Sequence, residues 1–213
     1  MPEILICLLT AIIAYLLGSI PFGWLVAKAK GVDIRSAGSG NIGATNAMRV
    51  LGKTAGITVL LLDALKGYVA AAWVPVMLLK CLNASPPDTA LLPVIAGIAA
   101  VLGHNYTCWL KFKGGKGIAT TAGVYLALAP LALLIALIVF LLAVAVTKYV
   151  SMGSISAAIA LPAAIWIMKP GDPCLGIATT ALGVLAIYKH KGNIQRLRAG
   201  TENRLGRKAE VAK

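Results

Sequence analysis

Acid is scarce in this chain: seven Asp and Glu stand against twenty Lys and Arg in 213 residues. Histidine is nearly missing as well, with only His104 and His190. Few general bases are therefore on hand, which suits hydrolysis of an unactivated bond poorly. The four cysteines, Cys7, Cys81, Cys108 and Cys174, lie far apart. With no C-x-x-C pair and no His at ligand spacing, neither a zinc site nor a disulfide framework is indicated. They are expected as free thiols filling space, a single Cys81–Cys174 bridge being the one pairing the topology leaves open. No metal and no cofactor is expected. Charged residues reach only 13%, and there is no internal repeat, low-complexity tract or soluble domain.

What is present is lipid-like. Hydrophobic residues form 59% of the chain and the mean hydropathy is +0.87, outside the range of a water-soluble domain. A net charge of +13 does not indicate nucleic acid, because the basic residues lie in short blocks between apolar runs rather than across one soluble face. The runs fall at 4–27, about 55–79, 90–110, 118–147, 151–168 and 174–188. A helix needs about 20 residues to cross the hydrocarbon. The first run is too long, and too poor in base at its start, for a secretory signal, so it is expected to remain as a span.

Lysine and arginine cluster in loops at about 28–54 and 104–117 and in the tail 189–213, and the positive-inside rule makes all three cytoplasmic. An even number of crossings must then separate the second loop from the tail, so the run 118–147 is expected to fold into two short spans near Pro130. The result is a single polytopic all-α membrane domain of seven transmembrane helices, with the N-terminus outside and the C-terminus in the cytoplasm. Seventeen of the twenty basic residues fall inside; Lys80 and Lys169 fall outside and Lys66 lies within a span. Mid-helix charge costs about 2.5–3.5 kcal/mol on insertion scales, so Asp63 and Lys66, three apart, read as a structural ion pair or as lining a polar cavity.

Three inside-facing segments have an unusual makeup. In GSGNIGATNAMR (38–49), Gly38, Gly40 and Gly43 permit backbone conformations that bare N–H groups. Ser39, Asn41, Thr45 and Asn46 add donors, and Arg49 offers a two-pronged grip on phosphate. In GHNYTCWLKFKGGKG (103–117), Gly114, Gly115 and Lys116 suit an anion, but the Gly117 that follows the lysine rules out an ATPase P-loop. In HKGNIQRLRAGTE (190–202), His190 and Asn193 share a helical face and are expected to reach a site formed with the other two loops. The tail's basic residues also suit anionic lipid heads. Ser151, just past Lys148, lies near the inner surface. Many anion binders with little acid–base machinery suit a substrate that is already activated, such as a phosphate anhydride.

Together, and in this order, the three segments resemble the signatures of the PlsY family, bacterial acyl-phosphate:glycerol-3-phosphate acyltransferases, over about residues 38–202. The resemblance implies acyl transfer from acyl phosphate to the 1-hydroxyl of glycerol 3-phosphate at the cytoplasmic face of the inner membrane, giving lysophosphatidic acid and phosphate. It implies that Ser39, Arg49 and Lys116 bind phosphate, that His190 and Asn193 hold the glycerol phosphate with Ser151 in the same pocket, and that the acceptor's own phosphate takes the proton. A monomer is expected. Two departures stand out: Thr107-Cys108-Trp109 replaces a Pro-containing stretch, and Arg198 replaces an apolar residue. The H-x-x-x-x-D of thioester-using acyltransferases is missing, since Trp109 lies five past His104 and Gln195 five past His190. The alternative is a transporter of a small phosphorylated solute, against which stand the lack of inverted repeats and the one-sided placement of the motifs.

Overall fold

The computed structural model describes residues 3–84 and 91–205. Residues 206–213 of the expected cytoplasmic tail, and the first residue of the span expected at 90–110, lie outside them. Every regular element among the described residues is helical: α1 (Glu3–Ser19), α2 (Phe22–Ala29), α3 (Ala44–Leu51), α4 (Lys53–Ala72), α5 (Val74–Leu82), α6 (Leu91–Asn105), α7 (Ile118–Leu128), α8 (Pro130–Thr147), α9 (Val150–Met168), α10 (Pro173–Lys189) and α11 (Lys191–Arg198), with one 3₁₀ turn at Cys108–Leu110. The chain divides into two compact units, residues 1–128 and 129–213.

Proline sets many of the boundaries. Pro21 ends the α1 direction, Pro75 follows the break at Trp73, and the apolar run 118–147 is cut at Ala129 next to Pro130, where the sequence reading folds it. Five helical runs are long and apolar enough to span a bilayer: Glu3–Ala29, Lys53–Leu82, Leu91–Leu110, Pro130–Thr147 and Val150–Met168. Ile118–Leu128 and Pro173–Lys189 are apolar but shorter. The apolar side chains face outward as much as inward. On α8, Leu131, Leu134, Leu141, Leu142 and Val146 are all exposed, as a lipid-facing surface requires.

With lipid outside, burial in water no longer drives helices together, and small residues let backbones touch instead. In the first unit α1 packs on α6, and α4 packs on α7 and α6. A Cβ on Gly18 would run into the Ala100 carbonyl, and one on Gly103 into the Tyr15 carbonyl. Gly67 and Gly123 play the same part between α4 and α7, against the Thr120 and Ala64 carbonyls. In the second unit Pro162, lacking an N–H, leaves the Ala158 carbonyl of α9 without its helical donor. Gly183 of α10 closes on that carbonyl, where a Cβ would lie 2.5 Å from it.

The buried charges in α4 are paired. Lys66 Nζ lies 2.8 Å from Asp63 Oδ1 and donates to the Ile20 carbonyl at 2.8 Å, beside the face of Phe22. The ion-pair reading of the sequence therefore holds. All four cysteines are free thiols.

Candidate active site

The first unit carries two of the three segments. Gly38 and Gly40 adopt left-handed backbone, φ +60° and +69°, so the chain doubles back on itself before α3. Asn46, buried on the first turn of α3, holds this loop by its side chain. Its amide nitrogen donates to the carbonyls of Ala37 at 3.0 Å and Asn41 at 2.9 Å, and more weakly to Ile34 at 3.3 Å, while its oxygen accepts the Ser39 amide at 2.8 Å. Asn41 Oδ1 in turn accepts from the Gly43 amide at 2.9 Å, turning the chain into α3. Ser39 is left exposed at the loop tip, and Arg49 follows on the last turn of α3, half-buried.

The second segment leaves α6 at Asn105. Thr107 is fully buried and donates its hydroxyl to the Ser19 carbonyl at 2.6 Å, which anchors the stretch that departs from the family pattern. Lys111 and Phe112 then take left-handed conformations, φ 53° and 60°. Side chains rarely adopt these without a compensating reason. The chain doubles back so that the Gly114 amide donates to the Asn105 carbonyl at 3.2 Å and the Gly115 amide to the His104 carbonyl at 3.0 Å. Any Cβ on Gly115 would strike the His104 ring. Lys116 follows, two residues before α7, whose N-terminal amides add positive potential. One apolar cluster joins both segments: Leu110 packs with Ile34, Ile42 and Ala47, so the loops rest on a shared base.

The second unit carries the third segment. His190, buried between α10 and α11, donates from Nδ1 to the Ala186 carbonyl at 2.7 Å, which fixes the tautomer with its proton on Nδ1. Asn193 and Arg196 both donate to Glu202, at 2.7 Å each. The Leu205 amide reaches the Lys148 carbonyl, and Arg204 reaches the Tyr149 hydroxyl, so residues 201–205 fold back on the α8–α9 turn. Burial works against the Glu202 charge, but the hydrogen bonds of Asn193 and Arg196 outweigh it and hold the carboxyl below its ordinary value. The buried Ser151 hydroxyl adds to this without full hydrogen-bond geometry.

A depressed carboxyl pKa contributes stability that is complete above the unfolded value and is lost as pH falls through the folded one. Hydrogen exchange of residues 201–205 should therefore be unchanged from pH 7 down to the ordinary carboxyl value of 4.5, after correction for intrinsic rates. Protection should weaken only below it.

Residues 8–200 match the family model described as glycerol-3-phosphate acyltransferase. The chain belongs to this family. A glycerol-3-phosphate acyltransferase of Geobacter sulfurreducens is 50% identical over 197 residues, 92% of this chain and 96% of the relative. One from Geobacter metallireducens is 53% identical over 191 residues, 90% and 93% of the two chains. The crystal structure of PlsY, an integral membrane glycerol 3-phosphate acyltransferase in its glycerol 3-phosphate form, superposes with a TM-score of 0.82 at 41% identity, covering 94% of this chain and 96% of that one. Its lysophosphatidic acid form gives 0.80 at 40% identity, covering 94% and 95%. The chain is thus an acyltransferase and an integral membrane protein with several apolar helices.

For this acyltransferase the site residues divide into two groups. Asn46, Gly114 and Gly115, expected as phosphate binders, have their donors engaged by the protein itself. They shape the loops. Gly38, Gly40 and Asn41 likewise set the turn, with Ser39 exposed at its tip, Arg49 half-buried on the last turn of α3, and Lys116 half-buried just after the second glycine turn. In the second unit Ser151 and Asn193 gather around Glu202, a partner the sequence reading did not assign. Its only signal is position: the one carboxylate within residues 190–202. Among the described residues no group of three His, Cys, Asp or Glu is placed to hold a metal.

Proposed function

We propose that this acyltransferase moves a long acyl chain from acyl phosphate to the 1-hydroxyl of glycerol 3-phosphate, producing lysophosphatidic acid and inorganic phosphate for phospholipid synthesis. The supporting observation is the pair of loops in the first unit. On one apolar base, two glycine-shaped turns carry Ser39 and Lys116, and the helix that follows the first of them carries Arg49, an arrangement that suits phosphate rather than a thioester. The glycerol 3-phosphate and lysophosphatidic acid forms of the structural relative agree with substrate and product.

The chemistry needs little from the protein beyond charge. The acceptor hydroxyl oxygen bonds to the acyl carbon, the carbon–oxygen bond to phosphate breaks, and the hydroxyl proton passes to the acceptor's own phosphate. Phosphate leaves readily from a mixed anhydride when cations and donors meet its growing charge, so Arg49 and Lys116 act by stabilising the departing group. In the second unit, His190 and Asn193 are assigned to the glycerol phosphate, with Ser151 beside them. The chain crosses the bacterial inner membrane seven times with these segments facing the cytoplasm, where both phosphorylated substrates are found.

The test is conversion of radiolabelled glycerol 3-phosphate to an organic-soluble product by purified protein supplied with palmitoyl phosphate. Lysophosphatidic acid should accumulate. Flux of labelled solute into sealed vesicles with no such product would instead mark a transporter.

A further inference from the structure

His104 is buried at the end of α6 and lies directly beneath the glycine turn that precedes Lys116. Two facts tie the turn to this residue. The His104 carbonyl accepts the Gly115 amide, and the imidazole fills the space where a Cβ on residue 115 would sit. The ring's orientation therefore fixes how far the turn can settle. Its Nδ1 faces Asp63 Oδ1 at 3.4 Å, from α4, and that carboxylate is held by Lys66 at 2.8 Å. Lys66 is itself anchored on the Ile20 carbonyl, which also accepts the Phe22 amide at 3.1 Å. A line of contacts thus runs from a buried ion pair, through an imidazole, to the backbone that displays Lys116.

A carboxylate and an ammonium inside a membrane helix are costly to insert, and an apolar pair of similar volume packs as well or better. Holding two helices together does not call for them. A carboxylate 3.4 Å from one nitrogen of His104, short of full hydrogen-bond geometry, does something that no apolar side chain can do: it favours the tautomer and ring plane that turn an N–H toward it. We infer that Asp63, held in place by Lys66, is a positioning residue that orients His104 and so sets the Gly114–Lys116 turn for phosphate. The inference rests on the assignment of Lys116 to phosphate made above.

Two double variants separate positioning from plain structural support. Asp63→Leu with Lys66→Met removes the ion pair and the acceptor together. Asp63→Asn with Lys66→Met removes the ion pair but keeps an oxygen for His104. Amide hydrogen exchange over residues 114–117, measured on the full chain in detergent, reads the turn without reference to activity. Exchange should be at least about tenfold faster in the Leu/Met variant and near wild type in the Asn/Met variant. The acyl-transfer rate should follow, falling at least about tenfold in Leu/Met, and this loss should disappear on a Lys116→Ala background because both changes act through one group. Unchanged exchange in Leu/Met, equal loss in both double variants, or losses that add to that of Lys116→Ala would overturn the inference. A wild-type rate for Lys116→Ala alone would remove the phosphate assignment, while the exchange comparison still decides whether Asp63 sets the turn.

Discussion

Lys116→Ala and Arg49→Ala are each expected to cut the acyl-transfer rate by about thirtyfold or more, a loss of at least about 2 kcal/mol of transition-state stabilisation. The size follows from where charge develops. As the carbon–oxygen bond breaks, the leaving phosphate gains negative charge, and a fixed cation matches it more strongly in the transition state than in the ground state. Lys116 follows a turn held by the Gly114 and Gly115 amides, and Arg49 ends a helix whose entry loop is held by Asn46, so both charges are carried on backbone that is already folded. Lys113→Ala is the internal control. Its side chain is exposed and belongs to the same basic block, so a topological role would make all three lysine and arginine changes equally mild. Initial rates at saturating and limiting glycerol 3-phosphate separate the two cases.

The second large effect concerns stability. Asp63→Ala is expected to lower unfolding free energy by about 3–5 kcal/mol, because it strands the Lys66 ammonium in a buried site. Removing both charges together should recover most of that loss, since an apolar pair leaves nothing uncompensated. Thermal unfolding in detergent reads this directly: a large drop for the single variant, a small one for Asp63→Ala with Lys66→Met. An equal drop in both would mean that cavity formation, rather than charge, dominates at this position.

Much of this architecture is written in composition and punctuation. The outward-facing apolar runs follow from hydropathy, and the cut at Ala129 follows from Pro130 together with the charge bias that called for an even number of crossings. The Asp63–Lys66 pair was legible because a lone charge in a span is so expensive. The finer division of labour in the loops was not. Asn46 reads as one more donor in a polar stretch, and only the folded loop shows its amide closing on Ala37, Asn41 and Ser39. Gly114 and Gly115 read as phosphate-cradling glycines, and in the fold their amides bond to the carbonyls of Asn105 and His104, Gly114 closing on that backbone and Gly115 leaving room for the His104 imidazole. Glu202 reads as an isolated acid, and its bonds to Asn193 and Arg196 depend on residues 201–205 folding back, which no local pattern announces. In each case the pairing is between residues several positions or more apart, and spacing alone carries no signal for it.

The most direct measurement offers the purified enzyme glycerol 3-phosphate with equal concentrations of palmitoyl phosphate and palmitoyl-CoA, and follows lysophosphatidic acid, inorganic phosphate and free CoA together. Transfer that relies on stabilising a departing phosphate predicts one phosphate released for each lysophosphatidic acid formed, no CoA release, and the same rate with a chelator present. Release of CoA in step with product would contradict the account, because it would show the enzyme acting on a thioester.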